Sequence, residues 1–145
     1  MKKILLIILL SFGLQAESYE KLKTSCNEGD GENCTHLGIL YQIGNGVNQS
    51  YEKAKIYYDK ACTLNHAEGC SRVGDLYYFG QGVEQDNSQA KIYYTKACKL
   101  NYKEGCQNLQ LLQEEEAIKE KQDELKRLKE ENRELTNEAE LLDQL

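Results

Sequence analysis

Residues 33–68 read NCTHLGILYQIGNGVNQSYEKAKIYYDKACTLNHAE, and residues 69–104 repeat them as GCSRVGDLYYFGQGVEQDNSQAKIYYTKACKLNYKE. Nineteen of the thirty-six aligned positions are identical, and the alignment needs no gap. Chance similarity at one fixed shift does not reach this level, so the chain is a tandem repeat array. Cys26 and Cys106 stand 36 residues outside their counterparts in the full repeats. The sequence therefore predicts two full repeats flanked by two half repeats.

Each repeat is predicted to fold as a hairpin of two helices. The apolar positions of the first helix are Cys34, Leu37, Gly38 and Tyr41, at the i, i+3, i+4, i+7 spacing of one helical face. Gly44 and its counterpart Gly80 suit a left-handed helix end, and Ser50 and its counterpart Asp86 suit the N-cap of the second helix. The second helix carries Ala54, Tyr57, Tyr58, Ala61 and Cys62 at helical spacing. The tyrosines are predicted to fill the space between successive hairpins.

The frame LGxxYxxGxGVxxDxxKAxxYYxKAC resembles the Sel1-like repeats, which are relatives of the tetratricopeptide repeat. The cysteines at the end of one hairpin and the start of the next resemble the cysteine-rich proteins of Helicobacter. The resemblance covers about residues 17–110 and implies an all-α solenoid of hairpins, stapled by disulfides, with 36-residue repeats. The chain departs from the pattern at Gln89, where the repeat usually has Lys, and the third repeat stops after its first helix.

The six cysteines form three pairs with seven residues between the members: Cys26/Cys34, Cys62/Cys70 and Cys98/Cys106. An even number of cysteines at fixed spacing in a small exported domain is typical of a disulfide framework. Each pair brackets a short turn between two helices, so we predict three local bridges. Zinc is the competing use of paired cysteines, but zinc ligands usually come in tighter pairs and neither histidine has a repeated place. We expect no metal and no cofactor.

The N-terminus has the pattern of a secretory signal peptide. Lys2 and Lys3 precede an apolar run that begins at Ile4, and Ala16 precedes a polar switch at Glu17. We therefore expect residues 1–16 to be removed, leaving a secreted or periplasmic protein with a repeat domain over residues 17–110. The alternative is an uncleaved N-terminal anchor. Without that anchor, no stable insertion into a membrane is expected.

Residues 111–145 differ in character from the repeats. They hold twelve acidic and six basic side chains, so they carry the whole net charge of −6. They contain no Gly or Pro that would interrupt a helix. They are predicted to form a long acidic helix. Within residues 125–142, the a and d positions of a heptad are occupied by Leu125, Leu128, Asn132, Leu135, Ala139 and Leu142. This predicts weak self-association as a coiled coil, and the alternative is one solvated helix.

The resemblance also implies an enzymatic alternative, because some cysteine-rich relatives are described as penicillin-binding and as weak β-lactamases. Serine enzymes that cleave β-lactams use S-x-x-K together with distant S-x-N and K-T-G segments. This chain contains S-x-x-K three times, beginning at Ser18, Ser50 and Ser88. Its nearest equivalents of the other two motifs overlap within residues 23–27. They therefore do not form a constellation around a substrate, and no catalytic residue is assigned.

The function that the sequence favours is a protein- or peptide-binding module. First helices of successive hairpins line the concave surface of such arrays, and positions that vary between repeats are the candidates. The candidate binding residues are His36, Ile39, Arg72, Asp75 and Tyr78, with Thr35, Gln42 and Ser71 beside them. Arg72 and Asp75 suit a polar peptide end or a carboxylate. A β-lactam or a peptidoglycan-related small molecule is the other candidate ligand, and nucleic acid is excluded because the chain is acidic and has no basic stripe.

Overall fold

A computed structural model describes residues 18–144. Each full repeat forms two helices joined by a short loop. Helix α1 is described from residue 18 to residue 27. It is followed by α2 (Gly31–Ile43), α3 (Tyr51–Thr63), α4 (Ala67–Phe79), α5 (Asn87–Lys99) and α6 (Lys103–Asp143). No strand occurs within residues 18–144. The predicted all-α repeat architecture with a long C-terminal helix is confirmed.

The helix ends follow the local signals in the sequence. Gly44 ends α2 with φ 72°, and Gly80 ends α4 with φ 66°, a left-handed conformation that glycine adopts without strain. The Ser50 hydroxyl caps α3 by accepting a hydrogen bond from the backbone N–H of Lys53. Asp86 caps α5 in the same way. These caps satisfy backbone N–H groups that have no partner inside the helix, and they fix where each hairpin turns.

Tyrosines and small residues hold the helices of a hairpin together. Tyr41 stacks on Tyr57 with ring centroids 5.5 Å apart, and the second repeat has the same stack between Tyr77 and Tyr93 at 5.8 Å. These stacks lie within a hairpin, and Tyr41 also belongs to a buried cluster with Val73 and Leu76 of the next hairpin, which confirms that tyrosines fill the space between hairpins. Tyr58 is fully buried and packs in one cluster with residues of α2 and α4.

Three disulfides connect consecutive hairpins. The bridges are Cys26–Cys34, Cys62–Cys70 and Cys98–Cys106, each with a sequence separation of 8. Each one ties the end of a helix to the first turns of the next, with Cα atoms 4.5–4.7 Å apart. The bridges therefore lie at the joints between hairpins, where the chain reverses.

Helix α6 begins in the half repeat and continues to Asp143 without a break. The sequence offers nothing to end it, because no Gly or Pro follows Gly105. The chain divides into two compact units between Leu109 and Gln110. Every residue from 117 to 144 is exposed.

The proposed signal peptide, residues 1–16, lies outside the described residues. Among the helices that the structure describes, none combines the length and the apolar character needed to cross a membrane.

Candidate binding surface

The first helices of the two full repeats present matching outward stripes of side chains. The residues, spaced at i, i+4, i+7 and i+11, are Glu32, His36, Ile39 and Ile43 on α2, and Glu68, Arg72, Asp75 and Phe79 on α4. None of these side chains is buried, and α2 contacts α4 directly. We call these eight residues the α2/α4 stripe.

A charged cluster occupies the α4 half of the α2/α4 stripe. The Arg72 guanidinium donates to Glu68 Oε1 from Nη2 at 3.0 Å and from Nε at 3.3 Å. Burial disfavours the charge on Arg72, but the hydrogen bond and the negative charge of Glu68 raise the pKa of Arg72 overall. Arg72 is therefore a fixed, permanently charged donor group whose orientation is set by its neighbour one helical turn away.

Asp75 connects three helices at this cluster. Its Oδ1 accepts a hydrogen bond from the Tyr94 hydroxyl of α5 at 2.9 Å and another from Asn108 Nδ2 of α6 at 3.2 Å. Burial raises the pKa of the Asp75 carboxyl above its usual range, although the Tyr94 hydrogen bond and the positive charge of Arg72 both oppose the rise. Asp75 thus orders the groups around it as well as offering a carboxylate.

The two repeats use the same tyrosine differently. The Tyr58 hydroxyl donates to Gln42 Oε1 on α2 at 2.5 Å, whereas its counterpart Tyr94 donates to Asp75. The residue of the first repeat that corresponds to Asp75 is Ile39, which cannot accept a hydrogen bond from a side chain. The polar groups are therefore concentrated on the second repeat.

The ends of α2 and α4 carry exposed apolar side chains. Ile43 is 62% exposed and Phe79 is 63% exposed, and both immediately precede the glycine that ends the helix. Tyr78 packs edge-on against Phe79 with ring centroids 4.9 Å apart. The α2/α4 stripe thus runs from charged residues near the helix starts to large apolar residues near the helix ends.

The structure groups some of the predicted site residues and not others. Arg72 and Asp75 interact electrostatically within one cluster. His36 is exposed and Ile39 half-buried on α2, while Tyr78 is half-buried and lies with the apolar end of α4. Tyr78 is therefore a neighbour of the Arg72 and Asp75 cluster rather than part of it.

Two of the accompanying candidates were placed wrongly. Thr35 is 0% exposed and Ser71 is 3% exposed, so neither belongs to a binding surface. Thr35 Oγ1 hydrogen-bonds Nδ1 of His66 at 2.8 Å, and His66 is half-buried at this contact between hairpins. The start of the following hairpin covers Thr35, a contact that helical periodicity within one hairpin does not reveal.

Four participants were missed by sequence reasoning: Ile43, Glu68, Phe79 and Asn108. The spacing of these residues in the sequence could have identified them. Glu68 stands four residues before Arg72, the spacing of a helical ion pair. Asn108 stands 36 residues after Arg72, and Ile43 and Phe79 stand 36 residues apart.

The three S-x-x-K segments have separate positions in the structure. Ser50 Oγ is the cap of α3 and also hydrogen-bonds Glu52 at 2.9 Å. Ser18 lies on α1 and Ser88 on α5. The capping hydrogen bond gives Ser50 a structural role that requires no catalysis. Across residues 18–144, no group of His, Cys, Asp or Glu side chains is arranged to hold a metal ion.

Comparison with known proteins places these features in a family. The Sel1 repeat family matches residues 34–66 and 67–102. Among solved structures, Helicobacter pylori cysteine-rich protein B is 35% identical, with a TM-score of 0.61 over 63% of this chain and 68% of that chain. No curated protein sequence matches.

Two further structures are similar over smaller parts of their length. A Sel1 repeat protein from Oxalobacter formigenes is 25% identical, with a TM-score of 0.55 over 58% of this chain and 34% of that chain. A protective antigen of uropathogenic Escherichia coli with the SLR fold is 28% identical, with a TM-score of 0.54 over 56% of this chain and 17% of that chain. The repeat match, the shared fold and the identity to cysteine-rich protein B agree with the resemblance seen in the sequence: the chain belongs to the family of cysteine-rich Sel1 repeat proteins.

Proposed function

We propose that this chain is an exported binding module that holds a segment of a partner protein on the α2/α4 stripe. The observation that carries the proposal is a contrast between buried and exposed positions of the two repeats. The buried Cys34, Gly38 and Ala54 have identical counterparts 36 residues later. On the α2/α4 stripe, three of the four positions differ between the repeats: His36 becomes Arg72, Ile39 becomes Asp75, and Ile43 becomes Phe79, which keeps an apolar side chain.

The chemistry of the α2/α4 stripe favours a peptide segment with two different ends. Ile43 and Phe79 offer exposed apolar surface for an aliphatic or aromatic side chain, the kind of anchor that dominates many interfaces. Arg72 offers a permanently charged donor group for a carboxylate or a polar peptide end. Because Glu68 already holds Arg72 in place, the ligand meets a group that loses little conformational freedom on binding.

The three disulfides support a location outside the cytoplasm. Such bridges form and persist in oxidising compartments, including the bacterial periplasm and the extracellular space. A signal peptide at residues 1–16 would deliver the chain there. Export is therefore part of the proposal, and N-terminal sequencing of the mature protein tests it: the first residue is expected to be Glu17.

The binding proposal is tested by affinity measurements after a partner has been isolated from the exported proteins. Phe79→Ala and Arg72→Ala should each weaken binding by about tenfold or more, because central apolar and arginine contacts supply most binding energy in typical interfaces.

The chain offers a matched control. Ile43 on α2 and Ile92 on α5 are the same residue type with similar exposure, 62% and 59%. Ile43→Ala should weaken binding, whereas Ile92→Ala, on the second helix of a hairpin, should leave it unchanged. Equal effects of these two substitutions, or none from Phe79→Ala, would overturn the assignment of the surface. Capture of a protein alone would not support it.

A further inference from the structure

Helix α6 carries an apolar stripe that the repeats do not account for. Its members are Leu125, Leu128, Asn132, Leu135, Ala139 and Leu142, which we call the leucine seam. Their spacing alternates between three and four residues, so they follow one side of the helix. Each leucine is exposed, from 45% at Leu128 to 70% at Leu142. A solvated helix has no physical reason to align its large apolar residues in this way.

We propose that the leucine seam pairs with the leucine seam of a second copy of this chain, parallel and in register. Asn132 is the reason for choosing a second copy. In that arrangement the two Asn132 side chains face each other, and each amide both donates and accepts a hydrogen bond. Against any leucine of a different helix or a shifted register, the amide would be buried without a partner, which is unfavourable. A single asparagine at such a position specifies register in coiled coils.

The charges beside the seam favour the parallel orientation. The three g positions are all glutamate: Glu124, Glu131 and Glu138. An antiparallel pair places g positions against g positions, which brings glutamates together along the pair, and it places Lys129 against Asp143 at the e positions, which offsets only part of that repulsion. A parallel pair places Glu124 against Lys129 of the second copy, which is favourable, and Glu138 against Asp143 of the second copy, which is not. The pair should therefore be weakest at its C-terminal end.

Pairing would change how the protein binds. This step rests on the proposed function: a dimer carries two α2/α4 stripes and can hold two sites of one multivalent target. The second contact is then intramolecular, which strengthens the overall attachment without any new contact at the stripe.

Sedimentation of the full chain, without any ligand, tests the pairing. The protein should form a reversible dimer with a Kd of about 100 μM or lower, which corresponds to a free energy of association of about −5.5 kcal/mol or more favourable. Leu135→Asp should weaken the dimer by about 100-fold or more, because each copy places a charge where a leucine was buried. Leu141→Asp is the matched control: Leu141 is 64% exposed but lies off the seam, beside Leu142. It should leave the dimer intact.

Two results would overturn the proposal. One is a parent protein that stays monomeric at the highest concentration, and the other is an equal effect of Leu135→Asp and Leu141→Asp. Circular dichroism confirms that each variant remains helical. Sedimentation uses the chain without a partner, so a monomeric result would not contradict the proposed binding function. A failure of Phe79→Ala to weaken partner binding would likewise not contradict the pairing of two copies.

A charge substitution tests the orientation. Asp143→Lys should tighten a parallel dimer by about tenfold, because a repulsion with Glu138 becomes an attraction in both copies. An antiparallel pair would be weakened, since e positions then face e positions and the substitution replaces the attraction of Asp143 to Lys129 by a repulsion. Glu140→Lys makes the same charge change in the same helical turn but off the seam, and it controls for net charge. Equal effects of the two substitutions, or weakening by Asp143→Lys, would overturn the parallel arrangement.

Asn132→Leu tests the role of the amide. Association should become tighter, while the single dimeric species should give way to a mixture of sizes, because a buried asparagine trades stability for specificity. An unchanged affinity and size would show that Asn132 does not lie in the interface.

Discussion

Replacing Gly38 by alanine should destabilise the repeat domain, although alanine is the better helix former. A Cβ atom at this position would overlap the Cδ1 and Cε1 atoms of the Tyr58 ring and lie 3.0 Å from its Cζ. The Tyr58 side chain is fully buried, and its hydroxyl is held by Gln42. The ring therefore has no free space to enter, and any displacement strains the hydrogen bond.

The expected loss can be worked out from three effects. Overpacking a buried site costs about 1–3 kcal/mol, and a weakened hydrogen bond to Tyr58 costs about 1 kcal/mol more. The higher helix propensity of alanine offsets about 1 kcal/mol of this loss. The net loss is about 1–3 kcal/mol, which for a domain of this size lowers Tm by roughly 5–20 °C.

Urea unfolding of the oxidised protein, followed by circular dichroism, measures this loss. Gly74→Ala should behave alike, because its Cβ would lie 2.6 Å from Cδ1 and Cε1 of Tyr94. In a Tyr58→Ala background, the ring is gone and Gly38→Ala should become stabilising by about 1 kcal/mol. If Gly38→Ala stabilises the parent, or has the same effect in both backgrounds, the packing argument is refuted.

Three further predictions concern a bridge, a carboxyl group and a cap. Replacing Cys62 and Cys70 together by alanine should lower the free energy of unfolding by roughly 2–3 kcal/mol in the chain-entropy model, and an unchanged urea midpoint would contradict it. Burial raises the pKa of Asp75, so the folded protein keeps the carboxyl proton at pH values where the unfolded chain has lost it. The contribution of Asp75 to the free energy of unfolding is therefore full below the ordinary pKa of 3.8 and is lost as pH rises through the raised pKa. Asp75→Asn should therefore gain stability relative to the parent as pH rises above about 4 and through the raised pKa of Asp75, and a flat difference in urea unfolding would count against it. Ser50→Ala should cost about 1 kcal/mol through the lost cap while leaving any turnover of a chromogenic β-lactam unchanged; loss of a genuine turnover would assign Ser50 to catalysis instead.

The elements predicted from the sequence are those set by contacts close along the chain. Gly44, Gly80, Ser50 and Asp86 each act on backbone groups within a few residues, so composition and spacing were enough to locate the helix ends. The left-handed conformation of Asn65, with φ 59°, was not predicted. The sequence held a signal for it, because the pair Leu-Asn recurs 36 residues later.

The binding surface was predicted less completely, because its details depend on contacts between hairpins. Helical periodicity placed Thr35 at the edge of the exposed face, but His66 of the following hairpin covers it. The same limit applies to Asp75, whose partners Tyr94 and Asn108 come from two later helices. Spacing identified Asp75 as a variable position, and only the packed structure shows which groups donate to it.

The spacing of the disulfides bears on how the chain reaches its native pairing. Each cysteine lies eight residues from its native partner, whereas the nearest wrong pair between neighbouring bridges, Cys34 with Cys62, is separated by 28 residues (62 − 34). The entropy of loop closure alone favours the native contact about sixfold over that competitor in the unfolded chain. Loop closure therefore favours the native pairs over the non-native ones before the helices have packed.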